Sequence, residues 1–279
     1  MRKVRFELMR PGEIIQERKR CPVAYLVFGP LEWHGPHLPL GTDPLIAYEI
    51  AVRAAQKTGG VVLPPLFWGT ERERDSQTLK NLGFQGGEWI VGMDFPENSM
   101  KSSYLPEEFL ALAARIMIEK LVEQGYRTIV IVNGHGATNQ IATLERIATE
   151  FTHQKKVEVM CVFVSLADEK GRVDFGHATA METSRMMAIC PDAVDLTRLP
   201  PKEKPLKYKE WAIVDSDAFC SKPAPNFEVQ DDPRVLSSST KGEESLRAAV
   251  EKIAEKVKEK LDKKEKAGKM QCGKNSSEK

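Results

Sequence analysis

The segment EEFLALAARIMIEKLVEQG, Glu107 to Gly125, followed at once by TIVIV, Thr128 to Val132, decides the fold class. Apolar residues recur at helical spacing in the first part and end at a glycine suited to a left-handed C-cap. The second part is apolar without alternation, as a strand must be when both faces of its sheet are covered. The same alternation recurs on either side. PVAYLVF (Pro22 to Phe28) precedes the helical pattern from Asp43 carrying Leu45, Ile46, Ile50 and Ala54, and VVLPPLF from Val61 is cut short by its prolines. Helix ATLERIATEF, strand VEVMCVFV from Val157 and helix AMETSRMMAI follow. Strand then helix, repeated, predicts a single-domain α/β three-layer sandwich around a mostly parallel sheet.

Between Gly69 and about Ser103 lies a polar, glycine-rich stretch too long for a connector, which predicts an excursion at a site or a subunit contact. A last helix is expected from about Lys241 to Lys260, with Thr240 and Glu243 as a capping box and Leu246, Val250, Ile253, Val257 and Leu261 as its buried stripe. The domain is thus expected over residues 1–262, with a disordered tail over 263–279 that has little to bury. There is no internal repeat.

Composition narrows the function classes. The 279 residues include 41 Lys plus Arg against 40 Asp plus Glu, a formal charge of +1, which speaks against a nucleic-acid binder. No run approaches a membrane span, and the first twenty residues are too charged for a secretory leader. Five scattered cysteines without a C-x-x-C pair read as reduced thiols, hence a cytoplasmic protein, and the near-zero charge leaves a small molecule as the expected substrate.

Only five histidines occur, and four fall in three short segments behind apolar runs. EWHGPHLPLGTD (Glu32 to Asp43) brings two carboxylates and two imidazoles into twelve residues. NGHGATN (Asn133 to Asn139) places His135 between glycines, and GHATAMETS (Gly176 to Ser184) supplies His177 and Glu182. Taken singly, each reads as an ordinary turn or helix surface. Together, at the carboxyl ends of strands where open α/β sheets bind ligands, they predict a metal site. Imidazole and carboxylate ligands without thiolates suit zinc, manganese or iron, and two divalent ions would suit so mixed a set. His153, at a polar helix end, is expected on the surface.

The three motifs, in this order, resemble the creatininase (creatinine amidohydrolase) family, and the similarity extends loosely from Pro22 to the helix near Lys260. The resemblance implies a homohexameric hydrolase holding two divalent metals and cleaving an amide-like or cyclic substrate. By it, Glu32 and His135 hold one metal, His34 and Glu182 the other, Asp43 bridges both, and His177 is the catalytic acid/base. Expected around them are His37 as an orienting residue and the backbone N–H groups of Asn133, Gly134 and Gly136 as an oxyanion site. A hydroxide bridging the metals would attack the substrate carbonyl.

The chain also departs from the family pattern. Creatinine-hydrolysing members carry a Glu two residues beyond the second-motif histidine, where Ala137 stands here. The third motif reads HATA rather than HAGE, and no tryptophan occurs between Trp89 and Trp211. A cyclic amide or related C–N bond other than creatinine is therefore the expected target, with hydrolytic ring opening of a keto-inositol as the alternative. A metal-free binding or assembly module of the same fold is the third reading. Arg72, Arg74, Asp75 and Lys80, in the charged stretch Gly69 to Asn81, are expected either to bind an oxygen-rich substrate or to face solvent.

Overall fold

Alternate residues of the two central strands face opposite ways, and each set founds one of two cores. Val23, Tyr25 and Val27 of β1 (Val23–Phe28), with Val130 and Val132 of β3 (Thr128–Asn133), pack on one side; Ala24, Leu26, Phe28, Ile129 and Ile131 pack on the other. Both sets are fully buried, which accounts for the unbroken apolar runs in the sequence. The computed structural model describes residues 2–154, 157–164, 166–167, 173–174, 176–219 and 228–275. It places β2 (Val61–Val62), β1, β3 and β4 (Glu158–Phe163) side by side in that order, all parallel.

Ten α-helices occur among the described residues: α1 (Pro11–Arg20), α2 (Thr42–Thr58), α3 (Ser76–Asn81), α4 (Glu107–Glu123), α5 (Thr138–Gln154), α6 (Ala180–Ile189), α7 (Tyr208–Trp211), α8 (Ser216–Phe219), α9 (Pro233–Leu236) and α10 (Ser239–Asn275). Helix α2, with Met186 of α6 and Leu246, Val250, Ile253 and Val257 of α10, fills the first core. Leu110, Ala114, Ile118 and Leu121 of α4 and Leu144, Ile147 and Phe151 of α5 fill the second. Side chains of this size each contribute roughly 1.5–3 kcal/mol on burial, so the two cores dominate the stability of the sandwich. The layered α/β architecture is thus as expected.

Three local expectations need correction. The third motif does not follow a strand of the main sheet: after β4 the chain forms a separate antiparallel pair, β5 (Leu166–Ala167) with β6 (Val173–Asp174). Helix α10 starts one residue before Thr240, and the cap is Ser238, whose Oγ accepts from Lys241 N–H at 3.2 Å. Its backbone also stays helical to Asn275, past the expected end near Lys260; residues 276–279 of the expected tail lie outside the described residues. The Gly69 to Ser103 excursion contains α3, capped by the Asp75 carboxylate. Cys21, Cys161 and Cys190 are free thiols, whereas Cys220 and the side chain of Cys272 lie outside the described residues. Among the described residues no helix is long and apolar enough to cross a membrane.

Candidate metal centre

The loop leaving β1 is closed on itself. Glu32 N–H donates to the Leu40 carbonyl at 2.9 Å, and Thr42 donates through N–H and Oγ1 to the Pro39 carbonyl at 3.2 and 2.7 Å. Glu32 and His34 are thereby turned back toward Asp43, which sits in the first turn of α2. The loop leaving β3 passes so close that a Cβ on Gly134 would collide with the Asp43 carbonyl, so only glycine brings His135 this near. His177 is fixed from another direction, through a two-bond bridge with Val214 at 2.6 and 2.8 Å. Ala178 beside it adopts φ +56°, and its N–H donates to Glu182 Oε2 at 2.5 Å. Glu182 lies in the first turn of α6, as its spacing from His177 predicts.

These six side chains converge and are all buried. Asp43 presents Oδ1 to His34 Nε2 at 3.2 Å and Oδ2 to His135 Nδ1 at 3.0 Å. Glu32 Oε2 lies 3.1 Å from the same His135 nitrogen, and Glu182 Oε2 lies 3.8 Å from His34 Nε2. Two ligand groups result, Glu32 with Asp43 and His135, and His34 with Asp43 and Glu182, each with donor atoms within 4.8 Å of one another. Glu32, His34 and His177 make a third such group.

Backbone carbonyls set the tautomers. A carbonyl can only accept, so His34 Nδ1 carries the proton it gives to Glu32 O at 3.0 Å, which turns Nε2 toward the carboxylates. By the same argument His177 Nε2 donates to Trp33 O at 2.5 Å, and its Nδ1, 4.0 Å from Glu32 Oε2, faces the cluster. The His177 and His34 rings lie 4.3 Å apart between centroids.

Electrostatics explain what the cluster lacks. Burial would lower the pKa of His34, but Asp43 and then Glu182 and Glu32 raise it to about 10. His135 is likewise held well above the ordinary value against its burial, by Glu32 and Asp43. Burial disfavours the charged form of Glu32, yet His135 and His177 bring its pKa well below the usual range. His177, desolvated and beside a cationic His34, falls to about 4 and is neutral. Three carboxylates thus surround two imidazoles, and protons on those imidazoles neutralise part of their charge. A divalent cation does the same with better-matched donors, and its binding would release those protons. The donor set therefore fits divalent metal.

Beside the cluster is a cavity of about 460 Å³, lined by Glu32, Asp43, His135, His177 and Glu182 at its base and by Met93, Phe163 and Phe219 on its apolar walls. Glu71, Arg72, Glu73, Arg74 and Asp75 line its other wall. Of the charged stretch, Lys80 is exposed and lies apart from this lining. Arg74 is held by Gly92 O at 3.0 Å, by Glu71 Oε2 at 2.5 Å and over the Phe219 ring at 5.3 Å.

Two expectations about neighbouring residues change. His37 touches no carboxylate of the cluster; its Nε2 pairs with Thr183 Oγ1 at 3.0 Å, beside Glu182, and burial followed by the charge of His34 brings its pKa down to about 3. The three-residue oxyanion site does not hold as a set. Gly134 N–H is taken by Phe28 O at 2.9 Å, and the Asn133 side chain braces the loop through His135 N and O and through Gln140. Gly136 is exposed and Gly134 half-buried, and both line the cavity. His153 is exposed, as expected. Two residues at the site escaped sequence reasoning: Arg185, one turn after Glu182, and Tyr104, whose Oη donates to Glu32 Oε1 at 2.5 Å. Neither lies in a motif, and only the helical offset from Glu182 could have flagged Arg185.

Comparison with known proteins gives a consistent result. The family model described as "Creatininase: Creatinine amidohydrolase" matches residues 7–257. Creatinine amidohydrolase of Pseudomonas putida is 28% identical over 254 residues, spanning 85% of this chain and 89% of that protein. The 3-dehydro-scyllo-inosose hydrolase of Thermotoga maritima is 22% identical over 75% of this chain, which spans 60% of that relative's length. A solved structure titled "Creatininase Mn" superposes with a TM-score of 0.63 at 23% identity, covering 93% of this chain and 99% of the other, and so supports the fold.

Proposed function

From the premise that this chain belongs to the creatininase family and is a hydrolase, we propose that the buried cluster holds two divalent metals and that the protein hydrolyses a small polar cyclic amide or related C–N bond. The observation that carries this reading is Asp43, which turns one carboxylate oxygen to each of two imidazoles. Glu32, Asp43 and His135 would hold one cation, and His34, Asp43 and Glu182 the other. Zinc and manganese suit these oxygen and nitrogen donors, as does iron. When bound, such a pair lowers the pKa of water toward neutrality and polarises a substrate carbonyl.

The protein's own residues do the rest. His177, neutral and with its Nε2 proton committed to Trp33 O, accepts a proton at Nδ1 and returns it to the leaving nitrogen. Gly136, exposed where it lines the cavity, would offer its N–H to an oxyanion. Met93, Phe163 and Phe219 keep water from the reacting carbonyl, and the Trp33 segment holds His177 in its orientation.

A second reading rests on the opposite wall. Glu71 to Asp75 alternate acceptors with arginines, a pattern suited to a neutral polyhydroxylated ring, and one relative is named as an inosose hydrolase. Ring opening of a keto-inositol is therefore the alternative substrate chemistry. The cytoplasm, by the cysteine usage, and a homohexamer, by the family resemblance, complete the proposal. Purified protein loaded with Zn²⁺ or Mn²⁺ should be screened against lactams, formamides and keto-inositols. Turnover of one class that stops with a chelator and returns with metal supports the reading; activity indifferent to chelation contradicts it.

A further inference from the structure

Every expected metal ligand lies in one of the three motifs, yet a short hydrogen bond to a carboxylate of the cluster comes from outside them, from the excursion between β2 and α4. Tyr104 Oη donates to Glu32 Oε1 at 2.5 Å, a charge-assisted bond of the strong class. The same oxygen accepts from Met93 N–H at 3.0 Å, which leaves the phenolic proton for Glu32 alone. The tyrosine ring lies 6.1 Å from the His135 ring between centroids, so one side chain borders both the acid and the imidazole of this half.

The backbone on either side is tied down. Ser103 N–H donates to Leu31 O at 2.7 Å, Ser102 Oγ accepts from Trp33 N–H at 3.0 Å, and Leu105 N–H donates to Gly69 O at 2.8 Å. Room for the phenol is made at Gly92, φ +55°, where a Cβ would overlap Tyr104 Oη. Burial, and then the Glu32 charge, keep the phenol protonated and hence a donor.

We propose that Tyr104 is a positioning residue for the metal centre: it clamps Glu32 Oε1 so that Oε2 alone is offered to the cation shared with His135 and Asp43. On the other half, Glu182 Oε2 is held from within its own segment by Ala178 N–H. The proposal rests on the metal reading above, and its test separates the two.

Metal-free wild type and Tyr104→Phe are titrated with Mn²⁺ and with Zn²⁺ against a competing chelator dye, and their thermal midpoints are recorded without metal. The expected result is one site weakened about 10–100-fold in Tyr104→Phe, the usual cost of losing an outer hydrogen-bonding partner, and the second site unchanged. Two wild-type affinities in Tyr104→Phe overturn the clamp while leaving the metal reading intact, and they do so equally if the midpoint falls, since Tyr104 would then act by packing alone. Equal weakening of both sites also overturns it. A wild type that binds neither metal overturns both proposals.

Discussion

The two halves of the cluster share Asp43 but are built by different means. The His34 and Glu182 half is local: His34 is oriented by the carbonyl of Glu32, two residues away, and Glu182 by the N–H of Ala178, four residues away. The Glu32 and His135 half is assembled over distance: Tyr104 reaches Glu32 from 72 residues away, and Gly134 lets His135 meet Asp43 across 92. It is also the half bordered by the excursion that walls the cavity. The local half takes its orientation from short-range backbone contacts, whereas the distant half depends on a strap that also shapes the substrate side.

The most damaging change to both halves is Asp43→Asn. It keeps the side chain's size but leaves each imidazole facing an amide, and activity should fall by on the order of 10³-fold or more, beyond the 10–100-fold typical of outer partners. His177→Ala should touch neither half. We expect kcat to drop about 10²–10⁴-fold, the range of general acid–base catalysis, with metal content as in wild type; loss of metal instead would make His177 a ligand.

Gly134→Ala breaks the comparison on one side. The added methyl pushes against the Asp43 carbonyl, so a loss of about 1–3 kcal/mol in denaturant unfolding is expected, together with weaker metal binding that is largest at the His135 half. A further effect is the pH dependence of the metal-free fold. His34, raised from 6.5 to about 10, stabilises it below pH 6.5 and gives that up as pH rises through 10. His37 and His177, lowered from 6.5 to about 3 and 4, stabilise it above pH 6.5 and give that up as pH falls through those values. Their sum gives a maximum near pH 6.5, readable from urea midpoints; a midpoint still rising from pH 7 to 9 would contradict the environment assigned to His34.

What was legible in the sequence follows the same division. The parallel strands showed as unbroken apolar runs because both faces of Val23–Phe28 and Thr128–Asn133 are buried. Glu32, His34 and Asp43 were legible because a twelve-residue loop must bring them together, and Glu182 because its place in α6 follows from helical phase. Tyr104 was not, since its position depends on hydrogen bonds from Ser102, Ser103 and Leu105 to distant backbone, which leave no local pattern. The oxyanion expectation went astray for the same reason: Gly134 N–H is spent on Phe28 O in the neighbouring strand, a pairing that only the sheet register reveals. Helix α1 escaped as well, because its capping by Arg10 and Glu13 sits in a stretch with a weak apolar face.

The central claim is that one aspartate joins two metal-holding halves. It is tested most directly by counting metal per chain, by elemental analysis, in wild type and Asp43→Asn purified without chelator. About two divalent ions per chain in wild type and fewer than one in Asp43→Asn are predicted. Full occupancy in Asp43→Asn, or a wild type that carries none and takes none up, would contradict it.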